Sequence, residues 1–345
     1  MKAVRQAVID IGSNTVRLVV YAGLPRAPMP IYNEKSRVKL GACLAGDGVI
    51  DKATMKKALA ALARFETLAR AMKVDTMRVV ATAATREAKN GRELVEKAAA
   101  LGIRVDVLDG DAEATAAGLG ILSDNPHANG YVGDLGGGSL ELIRIADGKL
   151  GTRVSLPLGT LRHDILKGKT TKQITQMLRD DIAAAMGKGN FPIETGLPFY
   201  MIGGSWRTFA RLHMHESGYP LTILSNYEMP ADAPELMMAV INDKDALTRS
   251  NVVAAGRISA LPGANALLAG IEGLLKHSKL VTSIYGLREG LLFEQLSPSE
   301  RQQDPLIAAA RFEGERLGRF PFHGDALAEW IAPVFAGQSS NDARL

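Results

Sequence analysis

Residues 7–20 read AVIDIGSNTVRLVV, in which an aspartate and a glycine-containing turn separate two apolar runs. The same order of residues returns in GDLGGGSLEL at 133–142. Two apolar runs joined by a short polar turn predict a β-hairpin. Asp10 and Asp134 occupy the same place in the two patterns and are 124 residues apart, which is about the length of one domain. The repeat therefore indicates an internal duplication.

Length and composition fit a folded protein of two domains. The chain has 345 residues, of which 46% are hydrophobic and 23% are charged, as in ordinary globular proteins. The 41 basic residues are mixed with 37 acidic ones, so the net charge of +4 predicts no nucleic-acid partner but is compatible with an anionic ligand. The single Cys43 excludes an internal disulfide framework and fits a cytoplasmic protein. No segment approaches about 20 uninterrupted apolar residues, so we expect no membrane-spanning helix.

Strand and helix patterns alternate along the chain, and this alternation predicts an α/β fold. Asp51 is a suitable N-cap for a helix that continues to about Ala71. Lys35, Arg37 and Lys39 alternate on a predicted strand and should share one face. A polar, turn-rich run at 123–130 is the best candidate for a domain junction. We therefore predict domains at 1–125 and 126–300, followed by a helical tail at 301–345.

Three glycine-rich turns follow apolar strands and are candidates for binding phosphate, because glycine lets backbone N–H groups converge on an anion. A hairpin needs glycine in any case, but the repetition of an aspartate before two of the turns favours a site. Such aspartates can bind Mg²⁺ directly or through water, or simply accept hydrogen bonds from the turn amides. The three turns are Gly12-Ser13-Asn14-Thr15, Gly136-Gly137-Gly138-Ser139 and Gly203-Gly204-Ser205.

Other charged residues admit a functional and an ordinary interpretation. Arg86 follows a predicted strand and can hold phosphate oxygens in a bidentate manner, or can pair with Glu87 or solvent. Glu113 begins a helix of small residues and can face a cleft and orient a water, or can be a surface acid that stabilises the helix N-terminus. The three cations at 35, 37 and 39 are either a solvated strand face or a track for an extended polyanion.

Taken together, the motifs resemble those of the exopolyphosphatase/guanosine pentaphosphate phosphohydrolase family. The resemblance extends from about Ala7 to Leu292, and the matching segments occur in the order found in that family. They are AVIDIGSNTVRLVV (7–20), VVATAATREAKN (79–90), LDGDAEA (108–114), GDLGGGSLEL (133–142), SLPLG (155–159), IGGSWRTFARL (202–212) and YGLREGLL (285–292). Asp109 and Ala112 depart from the usual serine and first glutamate of the segment around Glu113.

The resemblance implies two actin-like domains of the ribonuclease-H-like superfold, with an interdomain cleft and a short helical tail. It implies that Glu113 and Arg86 are catalytic and that Mg²⁺, or Mn²⁺, binds at Asp10, Asp134 and Glu141. The residues that it implies for binding substrate phosphate are Gly12, Ser13, Asn14, Thr15, Arg17, Gly136, Gly137, Gly138, Ser139 and Arg288.

The implied activity is Mg²⁺-assisted hydrolysis of the terminal phosphoanhydride of inorganic polyphosphate. One alternative is a guanosine pentaphosphate (pppGpp) phosphohydrolase, which needs the same catalytic centre and a pocket for the base. A second is a non-catalytic sensor that binds polyphosphate or the guanosine penta- and tetraphosphates. A homodimer is left open by the sequence. Retention of both aspartates and Glu113 favours an enzyme.

Overall fold

The computed structural model describes residues 3–162, 171–317 and 323–335. The strands are β1 (Val4–Ile11), β2 (Thr15–Leu24), β3 (Ala27–Arg37), β4 (Thr76–Ala81), β5 (Asp106–Val107), β6 (Gly130–Leu135), β7 (Leu140–Ala146), β8 (Lys149–Leu156), β9 (Phe199–Ile202), β10 (Glu228–Pro230) and β11 (Lys279–Thr282). The helices are α1 (Lys52–Ala71), α2 (Ala83–Glu87), α3 (Gly91–Ala100), α4 (Gly110–Asp124), α5 (Thr171–Lys188), α6 (Gly204–Glu216), α7 (Ala233–Leu236), α8 (Met238–Asn242), α9 (Lys244–Arg249), α10 (Ala255–Ile258), α11 (Leu261–Leu275), α12 (Leu287–Phe293), α13 (Pro298–Arg301), α14 (Pro305–Leu317) and α15 (His323–Ile331). Short 3₁₀ helices cover Leu40–Ala45 and Ala332–Phe335.

Two mixed sheets repeat one topology. The first has the order β3-β2-β1-β4-β5 and the second the order β10-β11-β9-β6-β7-β8. In each sheet the first strand pairs antiparallel with the next strand of the chain and parallel with a later one. We call the sheet β1–β5 and the helices on its outer face the first lobe, and the sheet β6–β11 with its helices the second lobe. This arrangement confirms the predicted α/β fold with two related halves.

The duplication extends to the turns of the two hairpins. The Gly12 N–H donates to the carbonyl of Thr15 at 3.0 Å, and the Gly136 N–H donates to the carbonyl of Ser139 at the same distance. Register also matches, because Asp10 lies opposite Arg17 and Asp134 lies opposite Glu141. The repeated sequence pattern therefore forms repeated structure, with one difference in charge: the first hairpin carries an arginine where the second carries a glutamate.

Hydrophobic cores on the outer face of each sheet hold the lobes together. Leu62 and Phe65 of α1 pack against the first sheet, and the predicted cap of this helix is confirmed, since Asp51 accepts hydrogen bonds from the N–H groups of Ala53 and Thr54. In the second lobe, Trp206 of α6 packs edge-on against Phe199. Burial of these large side chains is the main source of stability.

Between the two sheets, α4 and α12 cross at close range. Ala114 and Ala117 of α4 pack against the second sheet, although α4 precedes that sheet in the chain. Leu291 of α12 packs against the first sheet, although α12 follows the second. Each of these helices therefore packs against the sheet of the other half of the chain, and the domain boundaries at 125 and 300 remain predictions.

β5 has only two residues, and β3 ends earlier than the sequence predicts. β3 ends at Arg37, and Lys39 adopts a left-handed backbone with φ 63°. The N–H groups of Val38 and Lys39 both donate to the carbonyl of Asn14, at 3.2 and 3.0 Å. The chain thus bends to hold the first glycine turn, and Lys39 does not share the strand face of Lys35 and Arg37.

The tail beyond residue 300 is helical where it is described. Ala308 and Phe312 of α14 pack on Leu24. Trp330 of α15 is 78% exposed. Residues 318–322 and 336–345 of the predicted tail lie outside the described residues.

One segment, Ala255–Leu275, has the length and composition of a helix that could cross a bilayer. The sequence analysis did not single it out. In the structure this segment forms α10 and α11, and α11 contributes Leu267, Leu268 and Ile271 to the core of the second lobe. Such burial is typical of the core helix of a globular domain.

His277 should make the second lobe sensitive to acid. The ring is 3% exposed, lies 5.6 Å from that of Phe199, and neither of its nitrogens has a hydrogen-bond partner. Burial, reinforced by Lys276, lowers the pKa of His277 from 6.5 to about 4. The unfolded chain therefore binds a proton between these values that the folded chain does not, so stability falls as pH falls through this window. From pH 7 to pH 5 the loss is about 2 kcal/mol.

Urea unfolding at the two pH values measures this loss. His277→Leu should remove most of it, whereas the control His215→Leu, at an exposed position of α6, should leave it in place. An equal acid loss in wild type and His277→Leu would contradict the assignment.

Candidate functional site

The first and second glycine turns meet between the lobes. A methyl carbon placed on Gly138 would lie 2.9 Å from Oγ of Ser13, and one placed on Gly137 would lie 3.0 Å from Cβ of Ser13. Ser13 and Ser139 are buried. The glycines therefore allow a close approach that a side chain would prevent, and the two turns lie against each other where the lobes meet. We call this region between the lobes the cleft.

The first lobe contributes a buried carboxylate that is held by an arginine from α12. A terminal nitrogen of Arg288 donates to Oδ2 of Asp10 at 3.1 Å. Burial raises the pKa of Asp10, against the opposing charges of Arg288 and Arg17. Arg17, opposite Asp10 in the hairpin, donates from Nε to Oδ1 of Asn33 at 2.9 Å.

Tyr21 and Glu289 hold in place the start of α12, the helix that carries Arg288. The Tyr21 hydroxyl donates to Oε1 of Glu289, and Oε2 of Glu289 accepts from the Gly286 N–H at 2.9 Å. These bonds fix the start of α12. Nε of Arg288 is buried without a hydrogen-bond partner, so this N–H group could donate to a bound ligand.

Arg86 and Glu113 form an ion pair beside the second sheet. A terminal nitrogen of Arg86 lies 3.1 Å from Oε2 of Glu113 and donates to the carbonyl of Leu108 at 2.7 Å. The alternative partner Glu87 is at 4.0 Å. Glu113 is 8% exposed, so it is not a solvated helix acid. Burial, opposed by Arg86, raises the pKa of Glu113 to about 7.

Asp134 and Glu141 complete the acidic side of the cleft. Burial raises the pKa of Asp134 to about 6, with Arg207 opposing this shift and Asp10 adding to it. Glu141 is 1% exposed and accepts a hydrogen bond from Oγ of Ser155 at 2.9 Å. Burial, reinforced by Glu113 and Asp134, raises the pKa of Glu141 well above its usual range.

Arg207 joins the site, although sequence reasoning assigned it no role. It begins α6 directly after the third glycine turn and lies near Asp134. Burial, with the charge of Arg288, lowers its pKa to about 10, so it stays cationic at neutral pH. Its Nε is buried without a hydrogen-bond partner. The signal in the sequence was its place two residues after the third glycine turn, although no aspartate precedes that turn.

Arg162 ties the second turn to the helix that carries Arg86. Its Nε donates to the carbonyl of Gly138 at 2.6 Å, and its guanidinium pairs with Glu87. The two lobes are therefore linked at the edge of the cleft by a pair that neither motif analysis nor the resemblance had singled out.

Asp10, Asp134 and Glu141 are the three carboxylates predicted to bind a divalent cation. Within residues 3–162, 171–317 and 323–335 no group of three or more His, Cys, Asp or Glu side chains is arranged to hold a metal. Glu141 is buried and accepts a hydrogen bond from Ser155, and its role as a metal ligand stays a prediction. Burial raises the pKa of Asp10 and of Asp134, and a bound cation would lower both pKa values. Mg²⁺ is commonly bound through one or two carboxylates and substrate phosphates.

Known proteins share this fold and about a quarter of this sequence. The profile of the Ppx/GppA phosphatase family matches residues 19–299. Exopolyphosphatase 1 of Mycobacterium tuberculosis is 25% identical over 318 residues, which cover 89% of this chain and 92% of that protein. The crystal structure of the Aquifex aeolicus member of the Ppx/GppA family has a TM-score of 0.74 at 22% identity and covers 86% of this chain and 100% of that one. An exopolyphosphatase structure from Cytophaga hutchinsonii has a TM-score of 0.74 at 21% identity, over 85% of this chain and 99% of that one. Since the family profile spans most of its length, the chain belongs to the Ppx/GppA phosphatase family.

Proposed function

We propose that this protein is an exopolyphosphatase that hydrolyses the terminal phosphoanhydride of inorganic polyphosphate and releases phosphate. The observation that carries the proposal is the buried Glu113, which has a pKa of about 7, pairs with Arg86 and interacts electrostatically with Asp10 and Asp134, the aspartates before the two glycine turns. A carboxylate with a pKa near the working pH is suited to general base catalysis. The relatives named as exopolyphosphatases support this substrate over others.

Phosphoryl transfer requires mainly positioning and stabilisation of charge, because its transition state is loose. The amides of the two turns would hold the terminal phosphate. Arg86, Arg207 and Arg288 would neutralise its oxygens, and Nε of Arg207 and of Arg288 already lacks a protein partner. Glu113 would orient a water for attack on phosphorus and accept its proton at Oε1 or Oε2. Arg86 would keep the Glu113 carboxylate in place.

Asp10 and Asp134 would hold Mg²⁺ or Mn²⁺. A divalent cation supplies charge that stabilises the leaving phosphate oxygens. Arg288 would keep Asp10 ionised and oriented toward the cleft, since it donates to Oδ2 at 3.1 Å. Glu141 would act as a buried acid that shapes the electrostatic field around Glu113.

The guanosine pentaphosphate alternative would use the same centre with a pocket for the base, and the family includes both activities in its name. The sensor alternative is less well supported, because Glu113, Arg86, Asp10 and Asp134 are all present and converge on one cleft. We expect a cytoplasmic protein without nucleic-acid or membrane partners.

Phosphate release from purified protein tests the proposal. We expect release from long-chain polyphosphate in the presence of Mg²⁺ and a loss of nearly all activity when EDTA removes the metal. Guanosine pentaphosphate should be hydrolysed with a lower kcat/KM. A higher kcat/KM for guanosine pentaphosphate would favour the alternative. Tight binding of polyphosphate without release would favour the sensor.

A further inference from the structure

Three arginines from both lobes gather beside the third glycine turn. Arg37 ends β3 in the first lobe, and its terminal nitrogens would lie 3.3 Å from a methyl carbon placed on Gly256 in the second lobe. Arg257 of α10 covers the start of α6, with its terminal nitrogens 2.5 Å from a methyl carbon placed on Gly204. Arg211 of α6 interacts electrostatically with Arg257, as does Arg37. We call Arg37, Arg211 and Arg257 the arginine cluster.

No acidic side chain neutralises this cluster within residues 3–162, 171–317 and 323–335, where none of the three guanidinium groups has an ion pair or a hydrogen bond. Several exposed arginines elsewhere are paired with an acid, as Arg64 is with Glu34. Burial, and then the charges of Arg211 and Arg37, lower the pKa of Arg257. Like charges held together without a counter-ion destabilise a fold, so their grouping indicates a site for an anion.

The arginine cluster continues outward from the catalytic cleft. Ile202 pairs in register with Asp134, and the third turn follows it directly. Arg207 and Arg211 are four residues apart on α6 and therefore lie on the same face of that helix. A row of cationic groups thus begins at Arg207 in the cleft and continues with Arg257 over the third glycine turn. It ends at Arg37 and Arg211, which are exposed.

We propose that the arginine cluster is a second anion subsite, which binds the part of a polyphosphate chain that extends beyond the phosphate being hydrolysed. The proposal rests on the proposed function. Its ligand is an extended phosphate chain, because guanidinium groups on successive elements match repeated phosphates. Since Arg37 comes from one lobe and Arg211 and Arg257 from the other, only a chain long enough to reach the cluster can bridge the lobes there. The cluster therefore determines preference for chain length.

The path proposed here for the polyphosphate chain differs from the track along Lys35, Arg37 and Lys39 that the sequence suggested. Lys39 lies beyond the end of β3 on a left-handed residue, and Lys35 lies opposite Arg17 on the first sheet. Arg37 reaches Gly256 of the second lobe. A bound chain would thus cross between the lobes instead of running along one strand.

The ratio of kcat/KM for long-chain polyphosphate to kcat/KM for tripolyphosphate tests the subsite. In the double variant R37A/R257A this ratio should fall by at least about tenfold, because two charge-assisted contacts to the long chain are lost. The matched control is R70A/R92A, which removes two exposed arginines on α1 and α3 and should leave the ratio unchanged. Arg211→Ala, at an exposed position, gives the same test should the double variant fail to fold.

Equilibrium binding of long-chain polyphosphate in the Glu113→Gln background separates this proposal from the proposed function. If wild-type protein hydrolyses polyphosphate and the double variant R37A/R257A has the same ratio of the two kcat/KM values as wild type, the subsite is wrong and the function stands. If wild-type protein binds polyphosphate but does not hydrolyse it, the function is wrong, and at least about tenfold weaker binding by the double variant still supports the subsite. If wild-type protein does not bind polyphosphate, both fail. Arg257→Lys should recover part of the lost affinity.

Discussion

Glu113→Gln is expected to lower kcat for phosphate release by about 10²–10⁴-fold, the usual contribution of a general base. In the wild-type protein Arg86 donates a hydrogen bond to Oε2 of Glu113 at 3.1 Å. Glutamine keeps an oxygen that can accept this bond, but its amide cannot take a proton from water. Binding of polyphosphate should change little, because the turns and arginines that hold it are unaltered. Steady-state kinetics and equilibrium binding measure the two effects separately.

Asp111→Asn is the matched control for this substitution. Asp111 is an acid two residues earlier in the first turn of α4, and its side chain is 64% exposed and paired with Arg153. The change from acid to amide should leave kcat within about twofold, since surface ion pairs contribute little. Near-full activity of Glu113→Gln, or an equal loss in both variants, would remove Glu113 from the role of base.

The pH dependence of kcat/KM gives a second readout of the same residue. A general base must be deprotonated, and burial raises the pKa of Glu113 to about 7. Activity should therefore fall as pH is lowered through 7, and kcat/KM reports this ionisation in the free enzyme. In Glu113→Gln the residual activity should lose this limb of the profile. A wild-type profile that is flat from pH 8 to pH 5 would contradict the raised pKa.

Local patterns predicted most of the fold and the two turns. Period-two apolar runs and glycine turns act over a few residues, so the two hairpins with Asp10 and Asp134 could be predicted directly. The cap at Asp51 was equally local. The bend at Lys39 was missed because it depends on the carbonyl of Asn14, which lies 25 residues earlier in the chain.

Long-range contacts could not be predicted from the sequence alone. Asp10 and Arg288 are 278 residues apart, and the resemblance assigned each a role without pairing them. The burial of Glu141 and its hydrogen bond with Ser155 of the next strand depend on how the second sheet packs, so the sequence did not predict either one. The arginine cluster unites both lobes, and only their packing brings Arg37 to Gly256.

Gly290→Ala is expected to destabilise the protein by about 3 kcal/mol or more, in the range of severe core substitutions. The added methyl group would overlap the carbonyl oxygen of Ala116 on α4. Backbone cannot rotate away as a side chain can, so α4 and α12 must separate. Because α12 carries Arg288 and α4 carries Glu113, separation should also lower the activity of the molecules that remain folded. Urea unfolding and kcat per folded molecule measure the two losses.

Gly314→Ala is the same chemical change as Gly290→Ala, but we expect it to stabilise the protein. Gly314 lies within α14, and a methyl group there would meet no atom within 4 Å. Alanine should therefore stabilise that helix by about 0.5–1 kcal/mol, since glycine loses more backbone entropy on folding. If both substitutions have the same small effect, α4 and α12 do not pack as closely as the structure has them. A loss confined to Gly290→Ala, in both stability and activity, would show that glycine at this crossing is what allows one pair of helices to bring Glu113 and Arg288 to the same cleft.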